Sequence, residues 1–176
     1  MKIEITENTV VVDGTIYNKE DSLHLPTVTD LFEKWNGVTL DTEEGKKIQK
    51  WYYGTFVNAS WCATSMSYML ANLGLLRLSC GKRYENVFYM SNALKEHCME
   101  VETLQKGDIV VFCWDKDFTP TSSKHITSYA GDRKFIGGNQ DGAIKYKEYD
   151  YSKIVHIFRP SYQLGTLKNI SSFPII

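Results

Sequence analysis

Near residue 100 the hydrophobic period of the sequence switches from helical to strand, and that switch limits the folds open to it. Before it, Cys62, Met66, Met69, Leu70 and Leu73 stand four, three, one and three residues apart, one apolar stripe of a helix that Gly74 closes. After it come five short runs rich in β-branched and aromatic residues: Asp108 to Trp114, His125 to Ala130, Arg133 to Ile136, Ala143 to Tyr149 and Lys153 to Arg159. Gly, Asp or Lys turns separate them. Helices followed by strands on short turns predict an α+β domain, with N-terminal helices packed on a C-terminal antiparallel β-sheet.

Three further helices are expected. Thr27 or Thr29 can cap one that runs to about Trp35 and stops at Asn36-Gly37. A second spans Glu43 to Tyr53, ended by Gly54, and another runs from Tyr84 to about His97 with Val87, Met90, Leu94 and Cys98 on one face. Upstream, Thr9 to Val12, then Asp13-Gly14, then Thr15 to Tyr17 carries the signature of a two-residue β-hairpin. With 176 residues, 43% of them apolar, the chain fits one domain, residues 1–176. Within it, 1–20 would hold the hairpin, 51–160 the main core, and 161–176 an apolar-ended tail that packs back.

A formal charge of -1 gives no electrostatic case for nucleic acid as a partner. No run of about 18 apolar residues occurs, so no transmembrane helix is expected. The start, Met1 to Glu7, alternates charged with apolar residues and lacks a signal peptide's apolar stretch, which implies synthesis in the cytoplasm. The four cysteines, at 62, 80, 98 and 113, show neither a paired disulfide spacing nor a Cys/His quartet at zinc spacing. All four are therefore expected as free thiols, with no metal and no cofactor.

A cysteine in the first turn of a helix is placed for nucleophilic work. Unpaired N–H groups and the helix dipole there favour the thiolate, so a lowered pKa is expected for Cys62. Its own N–H could donate to an oxyanion. Cys98 and Cys113 read as core, and Cys80 as a thiol in a loop. Of the four histidines, His24 and His97 fall at a turn and a helix end, and His156 lies within a strand. His125 opens its strand, so its side chain is expected at a sheet edge or mouth, where a base could meet a helix N-terminus. Gly137-Gly138-Asn139-Gln140 then sets an amide at the end of the next strand, able to hold an imidazole through one nitrogen. Asn139 is the first choice for that role and Gln140 the alternative. Asn58 could add an oxyanion donor, and Trp61 could line the cleft.

Four segments in this order, Trp61-Cys62-Ala63, Lys106-Gly107-Asp108-Ile109-Val110-Val111-Phe112, Lys124-His125-Ile126 and Gly137-Gly138-Asn139-Gln140, resemble the CHAP and NlpC-like papain-fold hydrolases, nearest to their phage-encoded branch. The similarity runs from about residue 51 to 160. It implies a papain-like fold and a Cys62, His125, Asn139 triad. It also implies peptidoglycan peptides as substrate, cut as by an endopeptidase or an N-acetylmuramoyl-L-alanine amidase. Gly137 stands where many CHAP members carry Glu, and Lys124 and Thr127 stand where small residues flank the histidine. An endolysin of this kind would reach the wall through a holin-type lesion or a dedicated secretion system. The residues also leave open a protease or deamidase acting on other amides, and a non-catalytic binding module on the same fold.

Overall fold

The computed structural model describes residues 3–5, 9–12, 15–18 and 26–162. The chain divides into two compact units, one of them Thr27–Pro160; the N-terminal strands belong to the other. In that other unit β1 (Ile3–Ile5), β2 (Thr9–Val12) and β3 (Thr15–Asn18) make an antiparallel sheet in chain order. Val12 pairs with Thr15, the register a two-residue hairpin requires. Asp13 and Gly14, His24 and the tail from Leu164 lie outside the described residues.

In the unit Thr27–Pro160, local chemistry fixes each helix end. α1 (Val28–Lys34) starts in a capping box: the Thr27 hydroxyl accepts from the Asp30 N–H at 3.2 Å, and the Asp30 carboxylate accepts from the Thr27 N–H at 2.7 Å. α2 (Glu43–Tyr53) is capped by Thr42, which accepts from the Gly45 N–H at 3.1 Å, and stopped by Gly54 at φ 77°. α3 (Cys62–Asn72) follows Trp61, which offers no side-chain cap. α4 (Val87–His97) begins three residues later than its expected start at Tyr84, because Asn86 caps it through the Phe88 N–H at 2.9 Å.

The sheet has six antiparallel strands in the order β4-β9-β5-β6-β7-β8: β4 (Met99–Glu100), β5 (Ile109–Cys113), β6 (Lys124–Gly131), β7 (Lys134–Gln140), β8 (Ala143–Lys147) and β9 (Ile154–Arg159). The α+β class is therefore observed. β4 has too few residues to show a period and was not expected. β7 runs four residues past its expected end at Ile136. Gly137 and Gly138 do not turn the chain; they stay in the strand and allow close approach. A Cβ on Gly138 would lie 2.7 Å from Ser65 Cβ of α3, and one on Gly137 would lie 3.1 Å from Thr127 Cβ. The turn comes at Asp141 (φ 49°) and Gly142 (φ 83°), and Gln140 pairs with Ala143 across it.

Alternation gives the sheet two buried faces. Ser128 and Gly138 face the helices, with Ser128 Oγ 2.5 Å from Thr29 Oγ1 of α1. Val110, Phe112, Phe135 and Ile157 form the core on the other face, with Tyr129 and Tyr149 packed against it. β5 is buried on both, which explains its unbroken apolar run. Asp108 anchors its start, accepting from the Gln105 N–H at 2.7 Å and from Arg159 Nε and Nη2, each at 2.9 Å. Among the described residues no helix is long and apolar enough to cross a membrane.

Candidate active site

Cys62 is the first residue of α3, and packing of that helix on β6 and β7 carries it to the end of the sheet where β6 begins. The β6–β7 pairing runs from Gly131↔Lys134 to Ser128↔Ile136. Beyond it the Ile126 N–H stands beside the Cys62 thiol, as do the Ser60 hydroxyl and the N–H groups of Cys62 and Ala63. All four favour the thiolate. Burial outweighs them: with Cys62 only 5% exposed, its pKa lies above the ordinary thiol value. The lowered pKa expected from the helix start is therefore corrected, because the thiol is desolvated as well as solvated by N–H dipoles.

His125 is the second residue of β6, an interior strand between β5 and β7, so of the expected sheet edge or mouth the edge is ruled out and the residue stands at the strand's beginning. It pairs with Phe112, and its ring centre lies 5.7 Å from that of Tyr149. Burial pushes its pKa down to about 4, the Lys147 charge adds to that, and the Gln140 amide opposes it. Its Nε2 is buried without a hydrogen-bond partner. Cys62 thus rests as a neutral thiol and His125 as a neutral imidazole.

Gln140 is 1% exposed, and its amide orientation is determined by its neighbours. Nε2 donates to the Phe135 carbonyl at 3.2 Å and to the Lys145 carbonyl, so Oε1 is the atom left over. Oε1 is buried and, like His125 Nε2, unpartnered. Asn139 lies elsewhere. It occupies the left-handed region at φ 62°, at the irregularity where β7 and β8 change register, and its Nδ2 donates to Ser60 Oγ at 3.1 Å. The amide that acts on the imidazole is that of Gln140.

Asn58, Ser60, Trp61 and Asn139 line an open cleft of about 520 Å³ whose other wall is Thr39, Leu40 and Asp41. Hydrogen bonds from Gly37 N–H to the Ile144 carbonyl and from Ile144 N–H to the Val38 carbonyl, both 2.7 Å, hold that wall beside β8. Trp61 is 1% exposed, so it is both core and cleft floor, and its indole Nε1 has no partner. Asn58 is exposed at the rim. The structure thus gathers Asn58, Trp61 and Asn139 at one cleft; Cys62 follows Trp61 and meets the Ile126 N–H, while His125 shares the face of Phe112 and meets the Gln140 amide.

Two neighbours escaped the sequence reading. Tyr149 follows β8, and its phenol feels the Cys62 charge, so burial, Asp141 and Cys62 together raise its pKa. Lys147 spans Asp141, at 2.6 Å, and the Tyr149 ring, at 5.6 Å from Nζ to the ring centre. Only the fold brings either one to His125; one tyrosine and one lysine in a β-rich run carry no distinguishing pattern. For metals, the described residues contain one group of potential ligands, Cys80, Glu96 and His97, which lies beyond the far end of α3. Compared with known proteins, the chain matches no protein-family model and no curated protein sequence.

Proposed function

We propose that the protein is a cysteine-dependent amide hydrolase that works through a thioester on Cys62, with peptidoglycan peptide bonds as substrate. The observation that carries this reading is a buried imidazole, joined to no partner through Nε2, on the residue next to Ile126, whose N–H meets a helix-start thiol adjoining the lining of an open cleft. Burial penalises the protonated form of this histidine and keeps the ring a free base at neutral pH, and general-base chemistry is what such a group is suited to.

His125 Nε2 and Gln140 Oε1 are complementary orphans, a donor and an acceptor each lacking its match. Their pairing leaves Nδ1 to take the Cys62 proton. The sulfur then attacks the carbonyl carbon as that proton moves, because the resting thiol is not ionised. The N–H groups of Cys62 and Ala63 offer charge stabilisation to the oxyanion. The imidazolium returns its proton to the leaving amine, and water, deprotonated by the same ring, releases the acid from the thioester. In this reading Gln140 takes the orienting role first expected of Asn139, and Asn139 shapes the cleft through Ser60.

Purified cell-wall sacculi and a panel of folded proteins, digested in parallel and analysed by mass spectrometry, test the proposal. New amine or carboxyl termini in the sacculi should appear with the parent protein and vanish with Cys62→Ala. Cleavage confined to the protein panel would move the substrate to other amides. Undiminished wall cleavage by Cys62→Ala would end the reading.

A further inference from the structure

We propose that Cys80, Glu96 and His97 form a binding site for a zinc-class divalent metal ion, separate from the cleft. Cys80 Sγ lies 3.4 Å from Glu96 Oε2 and 3.3 Å from His97 Nε2, and the three ligand atoms all fall within 4.8 Å of one another. A tetrahedral Zn²⁺ ion has bonds of about 2.3 Å to sulfur and about 2.0 Å to nitrogen or oxygen, which separates its sulfur from each other donor by roughly 3.5 Å. The two observed separations match those edges without any movement of the backbone.

The donor set selects the metal. A thiolate and an imidazole suit Zn²⁺ and its neighbours, whereas Mg²⁺ and Ca²⁺ require oxygen ligands. All three side chains are exposed, so a fourth position stays open to water. The backbone holds the ligands from two elements. Cys80 ends the 3-10 turn Leu76–Ser79 at φ 54°, fixed by its N–H to the Arg77 carbonyl at 3.1 Å and by the Gly81 N–H to the Leu76 carbonyl at 2.9 Å. Glu96 and His97 close α4. A bound ion would therefore cross-link the end of α4 to the loop that leaves α3. Metal entry displaces the Cys80 proton to solvent, so affinity rises with pH.

The site escapes a search by spacing because its ligands are not a quartet, and 15 residues lie between Cys80 and Glu96. It is also remote from the proposed chemistry. Cys62 opens α3, an 11-residue helix about 16 Å long, and Cys80 follows its other end.

The test is titration of the chelator-stripped full chain with Zn²⁺, and with Co²⁺ as a spectroscopic substitute. One equivalent should bind, give a thiolate-to-cobalt charge-transfer band, and raise the unfolding temperature. Cys62→Ala should bind as the parent does. Cys80→Ser and His97→Ala, exposed substitutions checked for folding by circular dichroism, should each weaken binding by at least about 100-fold, and Glu96→Gln by about 10-fold. Absence of stoichiometric binding to the parent chain would overturn the site. So would binding undiminished in Cys80→Ser and His97→Ala, or lost in Cys62→Ala; the three alternatives correspond to a hydrogen-bonded cluster only, binding elsewhere, and capture by the cleft thiol.

Discussion

At the level of single residues, the main consequence is that Cys62 and His125 rest uncharged. A pre-ionised cysteine would alkylate rapidly near neutral pH. Here iodoacetamide should modify Cys62 slowly at pH 7 and faster as the pH approaches and passes the ordinary thiol value, as the raised pKa requires. Turnover should survive well into the acid range, falling only as His125 takes its proton near pH 4. Since Gln140 is the group that raises His125, Gln140→Leu should move that acid limb lower still and reduce kcat by at least about 10-fold through lost orientation. Asn139→Ala should leave the limb in place. Initial rates against pH for the two variants separate these roles.

Between elements, the close contact of α3 with β7 sets where the Cys62 thiol stands at the end of the sheet. That contact depends on Gly138, where a Cβ would meet the Ser65 side chain and lie 3.1 Å from Trp61 Cε3. Gly138→Ala should cost about 1–3 kcal/mol, read as a lower urea midpoint, and should reduce activity beyond the loss of folded protein because the helix start is displaced. The start of β5 offers a second test. Arg159→Ala leaves the Asp108 carboxylate, 1% exposed, without its two guanidinium bonds. A loss of about 2–3 kcal/mol is expected in urea unfolding, with the slope unchanged.

Across the molecule, the buried imidazole links the site to stability. In the unfolded chain a histidine takes its proton near pH 6.5; in the fold His125 does so only near 4. Between those values the unfolded state binds more protons, so stability falls as the pH drops through that window and levels off below it. The contribution from this group is on the order of 3 kcal/mol, present in full above pH 6.5. Thermal unfolding followed from pH 7 to pH 4 should show the decline, and His125→Phe should flatten it while abolishing activity. A pH dependence of the same size in His125→Phe would mean that other groups carry it.

The sequence by itself determined the elements whose chemistry is local. The Thr27–Asp30 capping box, the stop at Gly54, the stripe of α3, the register of the β2–β3 hairpin and the buried run of β5 all follow from neighbours a few residues apart. It also singled out Cys62 and His125 as candidates, and Gln140 as the alternative partner. Tertiary structure decided the rest, because the deciding quantities are burial and distance between segments remote in the chain. Burial reverses the pKa expected for a helix-start thiol. Strand packing makes Gly137 and Gly138 points of close approach, against Thr127 and Ser65. The irregularity at Asn139 directs its amide to Ser60 and leaves Gln140 at the imidazole, and only the meeting of α4 with the loop after α3 brings Cys80 to His97. Local patterns have a short reach. The sites are made where segments distant in the chain meet.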